Sequence, residues 1–175
     1  MSEQEMERLV VEAVEFIRSH YFGKYRGLVR DVDDDENLGR IKAKVPEIYE
    51  DEDSPWALPS VPFAGENHGL VVLPEVGDGV WIEFEAGDPS RPIWTGCWWA
   101  SNELPEPGGK ETRVLVTSGG HKIVLDDENS ELKLLHSGGG EIIMTDNDIT
   151  IKIGSTQIVL SSRGVNINNG ALEVK

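Results

Sequence analysis

The chain has little cysteine, few basic residues and no long apolar run. Its single cysteine, Cys97, excludes an internal disulfide framework and lies in the apolar stretch TGCWW, which predicts a core position. The 16 Lys and Arg are outnumbered by 32 Asp and Glu, giving a formal charge of −16. This charge argues against a nucleic-acid partner, because phosphates attract a positive surface. No apolar run approaches the roughly 20 residues of a membrane helix.

The N-terminus also lacks the basic residues of a secretory signal. The stretch MSEQEMERLVVEAVEF carries Glu where a signal peptide needs Lys or Arg. We therefore expect a soluble protein that is made in the cytoplasm.

Residues 113–175 form a ladder of short alternating strands. They read VLV, HKIVL, ELKLL, EIIMT, ITIKI, QIVLS, GVNIN and ALEVK, with Asp, Asn, Ser or Gly between them. The strands start roughly seven to ten residues apart, and strands this short bury no apolar face alone, so they must stack on copies of themselves. The pattern predicts a β-prism or a triple-stranded β-helix built from several chains. A stiff rod of this kind is typically mechanical rather than catalytic.

Alternate positions of the ladder are apolar, with Lys, Asp, Asn and Ser between them. In a homotrimer the apolar set would face inward and form a dry core, and neighbouring chains would pair the strand edges. At about 4.8 Å per strand, seven or eight strands per face predict a rod roughly 35 Å long. The predicted trimer core consists of Leu132, Leu134, Ile149, Ile151, Ile153, Ile158, Leu160, Val165 and Ile167.

Residues 1–22 predict an N-terminal helix over 3–19. Its apolar residues follow the i, i+3, i+4, i+7 pattern, and Ser2 and Glu5 have the spacing of a capping box. Two interpretations remain open. The helix packs on its own domain, or it docks on a neighbouring protein.

Residues 23–99 predict a five-stranded Greek-key barrel of the OB type. A long acidic loop separates the second and third strands, and a Pro/Gly linker over 100–112 separates the barrel from the ladder. The predicted strands are 24–32, 40–45, 69–73, 80–85 and 93–98.

No residue pattern indicates catalysis, a cofactor or a metal. Nucleotide-binding and hydrolase motifs are absent from the sequence, and the four histidines are scattered. Asp31, Asp33 and Asp35 alternate like a calcium loop, but Glu36 and Lys42 occupy its Gly and Glu positions. A symmetric trimer could still bring three copies of His121 or His136 to its axis.

The barrel sequence resembles the OB domain of contractile-injection spike proteins. These are the phage baseplate assembly protein V family, the T4-type central spike and the VgrG spikes of type VI secretion. The resemblance covers about residues 23–99, and HKIVLDD at the start of the rod resembles the triple-stranded β-helix of the same families. The matching elements are Gly39-Arg40-Ile41, Pro46, Trp56, Pro74-x-x-Gly77-Asp78-x-Val80, Phe84-Glu85-x-Gly87-Asp88-Pro89 and Arg91-Pro92-x-x-x-Gly96.

This resemblance implies a homotrimeric central spike without catalytic residues, assembled in the baseplate of a phage tail-like particle. Its implied partners are a baseplate hub protein of the T4 kind and a conical PAAR-type tip protein, with no nucleic acid and with a target membrane only on contraction. The sequence carries neither a lysozyme domain nor a fused hub domain, so we expect separate hub and tip proteins. The predicted tip-binding residues are Ala171, Leu172, Glu173, Val174 and Lys175.

Two other functions fit parts of the sequence. One is an OB-fold nucleic-acid-binding module with an oligomerising tail, which the negative charge opposes. The other is a β-helical carbohydrate-active enzyme, although such stacks are normally longer and no catalytic cluster is present in the sequence. The residues also leave open whether the particle is a phage tail, a bacteriocin, a secretion system or an extracellular injection device.

Overall fold

The computed structural model of the chain describes residues 2–174, except for the side chains of residues 173 and 174. The fold is mainly β and divides between Ala100 and Ser101 into two compact units. The first unit contains the N-terminal helix and a barrel. The second contains the strand ladder.

The predicted N-terminal helix is confirmed as α1, Glu3–Ser19. Its capping box is present: the Glu5 amide donates to Ser2 Oγ at 3.3 Å, and the Ser2 amide donates to Glu5 Oε2 at 2.7 Å. The helix ends at His20, whose ring stacks on Phe16 with 3.9 Å between centroids. No residue of α1 is buried.

A five-stranded sheet forms the barrel. Its strands are β1 (Tyr25–Asp31), β2 (Lys42–Lys44), β3 (Leu58–Pro59), β6 (Gly79–Phe84) and β7 (Pro92–Trp98), in the spatial order β2-β1-β6-β7-β3. Only the β3–β7 pair is parallel. A short helix α2 (Pro46–Tyr49) and a small ribbon of β4 (Ala64–Gly65) with β5 (His68–Gly69) lie in the long loop.

Two reciprocal hydrogen bonds join the edges of this sheet. The Ile41 amide donates to the Ala57 carbonyl at 3.2 Å, and the Ala57 amide donates to the Ile41 carbonyl at 2.8 Å. Because Ile41 precedes β2 and Ala57 precedes β3, this bridge closes the barrel. Closure leaves no free edge for another strand.

One predicted barrel strand is wrong. Residues 69–73 were expected to form the third strand, but only Gly69 is in a strand, in the small β4–β5 ribbon. The fifth place in the sheet belongs to β3, where the Ser60 amide donates to the Trp94 carbonyl at 2.9 Å. The other four predicted strands correspond to β1, β2, β6 and β7, with ends shifted by no more than two residues.

The barrel core is aliphatic and aromatic. It contains Val29, Ile41, Ala43, Val45, Ala57, Val80, Ile82, Phe84 and Trp94. The Trp94 indole donates from Nε1 to the Gly39 carbonyl at 3.0 Å, which ties the loop after β1 to the core. Among the described residues, Ser54 is the one buried polar residue. Its hydroxyl accepts a hydrogen bond from the Ala43 amide at 2.9 Å and donates one to the Pro55 carbonyl at 2.8 Å.

The prediction that Cys97 lies in the core is wrong. Its thiol is on the exposed side of β7. The β6–β7 register shifts between Val80 and Ile82, and Gly96 has a φ of +130°. A bulge of this kind changes which face the following side chain occupies, and alternation in the sequence does not reveal it.

The ladder is one antiparallel sheet in which each strand pairs with its neighbours in sequence. All eight predicted strands are present. They are β8 (Thr112–Val116), β9 (Lys122–Asp126), β10 (Glu131–Leu135), β11 (Gly140–Met144), β12 (Asp148–Ile153), β13 (Thr156–Ser161), β14 (Gly164–Ile167) and β15 (Leu172–Val174).

Candidate assembly interface

Two columns of aliphatic side chains cross one face of the ladder sheet. Directly paired residues of antiparallel strands project to the same face, so the register identifies the members of each column. The first column is Leu115, Ile123, Leu134, Ile142, Ile151, Ile158, Ile167 and Leu172. The second is Leu125, Leu132, Met144, Ile149, Leu160 and Val165. We call the two columns together with Ile153 the apolar face.

The apolar face is open to solvent in the single chain. Ile151 near its middle is 44% exposed and Leu134 is 40% exposed, although both lie within regular strands. Ile153, next to the first column, is 67% exposed. Soluble monomers rarely leave a contiguous apolar surface of this extent uncovered, so the face has the character of an interface.

The opposite face of the same sheet is more polar than the apolar face. Its middle column alternates polar and aliphatic residues, namely Lys133, Ile143, Thr150, Val159 and Asn166, and beside this column Lys152 forms an ion pair with Glu141 at 3.0 Å. Near β8 this face is covered by the chain itself. Val124 is 1% exposed, and Lys122 Nζ donates to the Glu106 carbonyl at 2.9 Å. The two faces therefore differ in polarity, and the covered side is not the apolar one.

All nine residues predicted for the trimer core lie on the apolar face. Their contact across a trimer stays a prediction. Sequence reasoning missed five further members of the face, whose alternation is hidden in the uniformly apolar runs VLV, KIVL and EIIM. These members are Leu115, Ile123, Leu125, Ile142 and Met144.

The predicted tip-binding residues are only partly described. Leu172–Val174 form β15, which pairs with β14, and Leu172 continues the first column opposite Ile167. Ala171 lies in the turn before β15. Lys175 and the side chains of Glu173 and Val174 lie outside the described part of the chain, and tip binding stays a prediction.

His121 and His136 lie side by side at the edge of the apolar face, with 4.5 Å between ring centroids. The Gly138 amide donates to Nδ1 of His136 at 2.9 Å, and the Ser137 amide donates to Nδ1 of His121 at 3.4 Å. An axial metal site built from three copies of either histidine stays a prediction. Within residues 2–174, no group of three or more potential ligand side chains is placed to hold a metal ion.

A second exposed apolar surface lies on α1. Its members fall within one broad stripe and include Met6, Leu9, Val10, Val14, Phe16 and Ile17. We call this the helix stripe. Five glutamates and only two arginines share the helix, which makes it acidic overall. Because no residue of α1 is buried, the barrel does not cover the helix stripe.

Comparison with known protein families matches both units. Residues 25–99 match the model of the type VI secretion system and phage-baseplate injector OB domain. Residues 112–173 match the model of the phage baseplate V C-terminal trimerisation domain. The chain belongs to the phage baseplate V and VgrG spike family. The predicted family and the OB barrel are thereby confirmed.

The relatives of this chain include type VI secretion system spike proteins. The chain is 29% identical over 147 residues to the type VI secretion system spike protein VgrG3 of Vibrio cholerae, covering 77% of this chain and 14% of VgrG3. It is 28% identical over 135 residues to spike protein VgrG1a of Pseudomonas aeruginosa, covering 68% of this chain and 21% of VgrG1a. It is also 34% identical over 86 residues to the actin cross-linking toxin VgrG1 of V. cholerae, covering 45% of this chain and 8% of the toxin.

This member of the spike family thus spans a small part of the curated relatives it matches. The matched part is the baseplate portion of the spike. Among residues 2–174, no helix has both the length and the apolar character needed to cross a membrane.

Proposed function

We propose that this chain is the structural central spike of a contractile tail or injection device. Three copies form a rod that docks under a baseplate hub and pierces the target envelope when the sheath contracts. The chain is made in the cytoplasm and assembled in the baseplate. The observation that carries this proposal is the uncovered apolar face on a unit that matches a trimerisation domain.

Trimerisation buries the apolar face without any other partner. Three copies of the sheet, each turned toward a common axis, cover one another's aliphatic columns and leave the Lys, Glu and Asn side chains outside. Full burial of an aliphatic side chain contributes about 1.5–3 kcal/mol, and most members of the face are already more than half covered within the sheet, so each adds on the order of 1 kcal/mol when another chain covers it. Fifteen such residues per chain are available, counting the two columns and Ile153, so the gain exceeds the entropy cost of bringing three chains together.

A rod of this construction suits axial load. Every strand of the described ladder from β9 to β14 is hydrogen-bonded on both sides. Compression along the strand stack acts on many backbone bonds at once rather than on a flexible loop. The apolar columns run without interruption from β9 to β14, so the core has no polar layer at which water would enter.

The helix stripe supports hub docking. It is exposed and apolar, and the segment after it is attached to the barrel through Tyr21, whose ring contacts Phe84 and whose amide donates to the Gly87 carbonyl at 2.8 Å. An amphipathic helix of this kind lies naturally in an apolar groove of a partner. The acidic flanks of α1 favour a groove with basic edges, and the hub protein is the partner that we assign to it.

A PAAR-type tip protein is the partner that we assign to residues 171–175. Leu172 brings the first apolar column to the last described strand, and it is 55% exposed. An apolar cap on three copies of this strand would cover both the side chains and the outer strand edge.

The molar mass in solution tests the spike proposal. The full chain should scatter light as a particle of three times 19.3 kDa and should keep that mass on dilution and in mild detergent. A monomer or dimer at micromolar concentration would contradict the spike and favour an isolated OB module. Salt-dependent binding to single-stranded DNA would point in the same direction.

A further inference from the structure

An apolar segment on the barrel has the composition of a strand but no strand partner. Residues 70–73, Leu-Val-Val-Leu, follow β5 and run outside the five-stranded sheet. Val71 is 84% exposed and Val72 is 56% exposed, and Leu70 and Leu73 are exposed as well. We call these four residues the free segment.

The backbone of the free segment also has almost no hydrogen-bond partner within the protein. The Leu70 amide donates to the Phe63 carbonyl at 3.2 Å. After it, the amides and carbonyls of Val71, Val72 and Leu73 form no hydrogen bond with any residue of the described 2–174 range. Backbone groups without protein partners remain open for pairing, and a run of apolar residues on both sides of a strand is typical of a strand buried on both faces.

A groove separates the free segment from the barrel wall. Its volume is about 750 Å³, and its lining includes Leu38, Pro59, Val61, Val72 and Trp94. This space is large enough for several aliphatic side chains. The free segment therefore offers both a backbone edge and an adjoining apolar recess.

We propose that the barrel of a second copy of this chain covers the free segment in the assembled trimer. The inference rests on the proposed trimeric spike. The trimerisation domain holds other copies of the barrel close by, and tethering of this kind gives effective concentrations on the order of millimolar. A partner that is not tethered to the barrel lacks this effective concentration.

The distribution of charge is consistent with a contact between copies at the free segment. Each copy carries a formal charge of −16, so two barrels repel one another over most of their surface. Residues 69–74 contain no charged residue and are flanked by Glu66 and Glu75. A neutral apolar patch is where like-charged copies can touch, whereas a basic partner would gain more from the acidic loops.

Amide hydrogen exchange on the full chain tests this contact. In the wild-type trimer the amides of Val71, Val72 and Leu73 should exchange at least tenfold more slowly than in the Ile151→Asp variant, which we expect to be a monomer. The amides of Val80 and Ile82 in β6 should be slow in both proteins and serve as the check that the barrel is folded. Equal and fast exchange of the free segment in trimer and monomer would overturn the inference while leaving the trimer standing.

Two matched substitutions give an independent measurement. Val71→Asp should lower the temperature at which the trimer dissociates and should remove the protection of the neighbouring amides, without changing the barrel's own unfolding. Val76→Asp adds the same charge at an exposed valine beyond Pro74 and should leave both readouts unchanged. Equal effects of the two substitutions would assign the result to net charge and overturn the contact. A monomeric wild-type chain would overturn the proposed function first, and this inference with it.

Discussion

Ile151 lies directly opposite Ile158 on the neighbouring strands β12 and β13, and both side chains are on the apolar face. Ile151 is also opposite Ile142 on the other side. It is therefore surrounded by aliphatic neighbours along the sheet, yet nothing among the described residues covers it from above. A side chain in this position contributes little to the single sheet and most to whatever covers the face.

The substitution Ile151→Asp should convert the trimer to a monomer. In the proposed core it would place three carboxylates among aliphatic side chains, and the desolvation of each ion costs several kcal/mol. Light scattering should then give the mass of one chain. Thr150→Asp introduces the same residue at the adjacent position on the opposite face and should leave the trimer intact. A stable Ile151→Asp trimer would show that Ile151 is not in the core.

The substitution Ser54→Ala should destabilise the barrel without changing the oligomeric state. It leaves the buried amide of Ala43 without its acceptor, which costs about 1–3 kcal/mol. All five tryptophans lie in the barrel unit, so tryptophan fluorescence during urea unfolding reports this unit alone. Ser60→Ala, which removes an exposed hydroxyl, is the control and should shift the midpoint very little. An unchanged midpoint for Ser54→Ala would mean that water replaces the lost acceptor.

The stability of the barrel should fall in acid, and Asp34 should account for part of the fall. The Arg40 guanidinium and the amides of Leu38, Arg40 and Glu36 hold the pKa of Asp34 well below its usual range. A depressed pKa in the folded state gives stability that is present above the unfolded value of about 3.9 and is lost as the pH falls below it.

Asp34→Asn should therefore lower the urea midpoint at pH 7 and reduce the slope of stability against pH between about 4 and 2. It should not remove that slope entirely, because hydrogen bonds from Asp33 and Ser90 also lower the pKa values of Asp31 and Asp88. Asp35→Asn is the control, because it removes an exposed carboxylate from the same loop. Equal acid slopes in the wild-type and Asp34→Asn proteins would contradict this role.

Local patterns in the sequence predicted the parts of the fold that depend on local chemistry. The capping box of Ser2 and Glu5 fixes where α1 begins, and strict alternation in ITIKI and QIVLS fixes which residues share a face. The family motifs around Gly77, Asp78 and Asp88 identified the OB domain before its strand order was known.

Features that depend on distant pairing could not be predicted in the same way. The free segment has the composition of a strand, but β3 is the strand that pairs with β7 in the barrel. The Ser60 amide, directly after β3, donates a hydrogen bond to the Trp94 carbonyl of β7. Cys97 has apolar neighbours in sequence, but the bulge beside it turns its thiol outward. Runs such as VLV carry no alternation, so Leu115 joined the apolar face only once its pairing with Ile123 was known.

Deletion of residues 2–15 should separate the two interpretations of the N-terminal helix. Because no residue of α1 is buried, the barrel's free energy of unfolding, measured by tryptophan fluorescence in urea, should stay within about 0.5 kcal/mol of that of the full chain, the range of most surface changes. The deletion retains Phe16, so the contacts of Phe16, His20 and Phe22 remain possible. The mass of the trimer should also be unchanged.

Binding to the hub protein of the same particle should weaken strongly in the same variant. A narrower test is Leu9→Asp, which places a charge within the helix stripe, beside Glu12→Gln as a control on the acidic side of the helix. We expect Leu9→Asp to reduce hub capture at least tenfold and Glu12→Gln to have little effect. If the deletion instead lowers the barrel's free energy of unfolding by more than about 2 kcal/mol and leaves hub capture unchanged, the helix packs on its own domain and the docking interpretation is wrong.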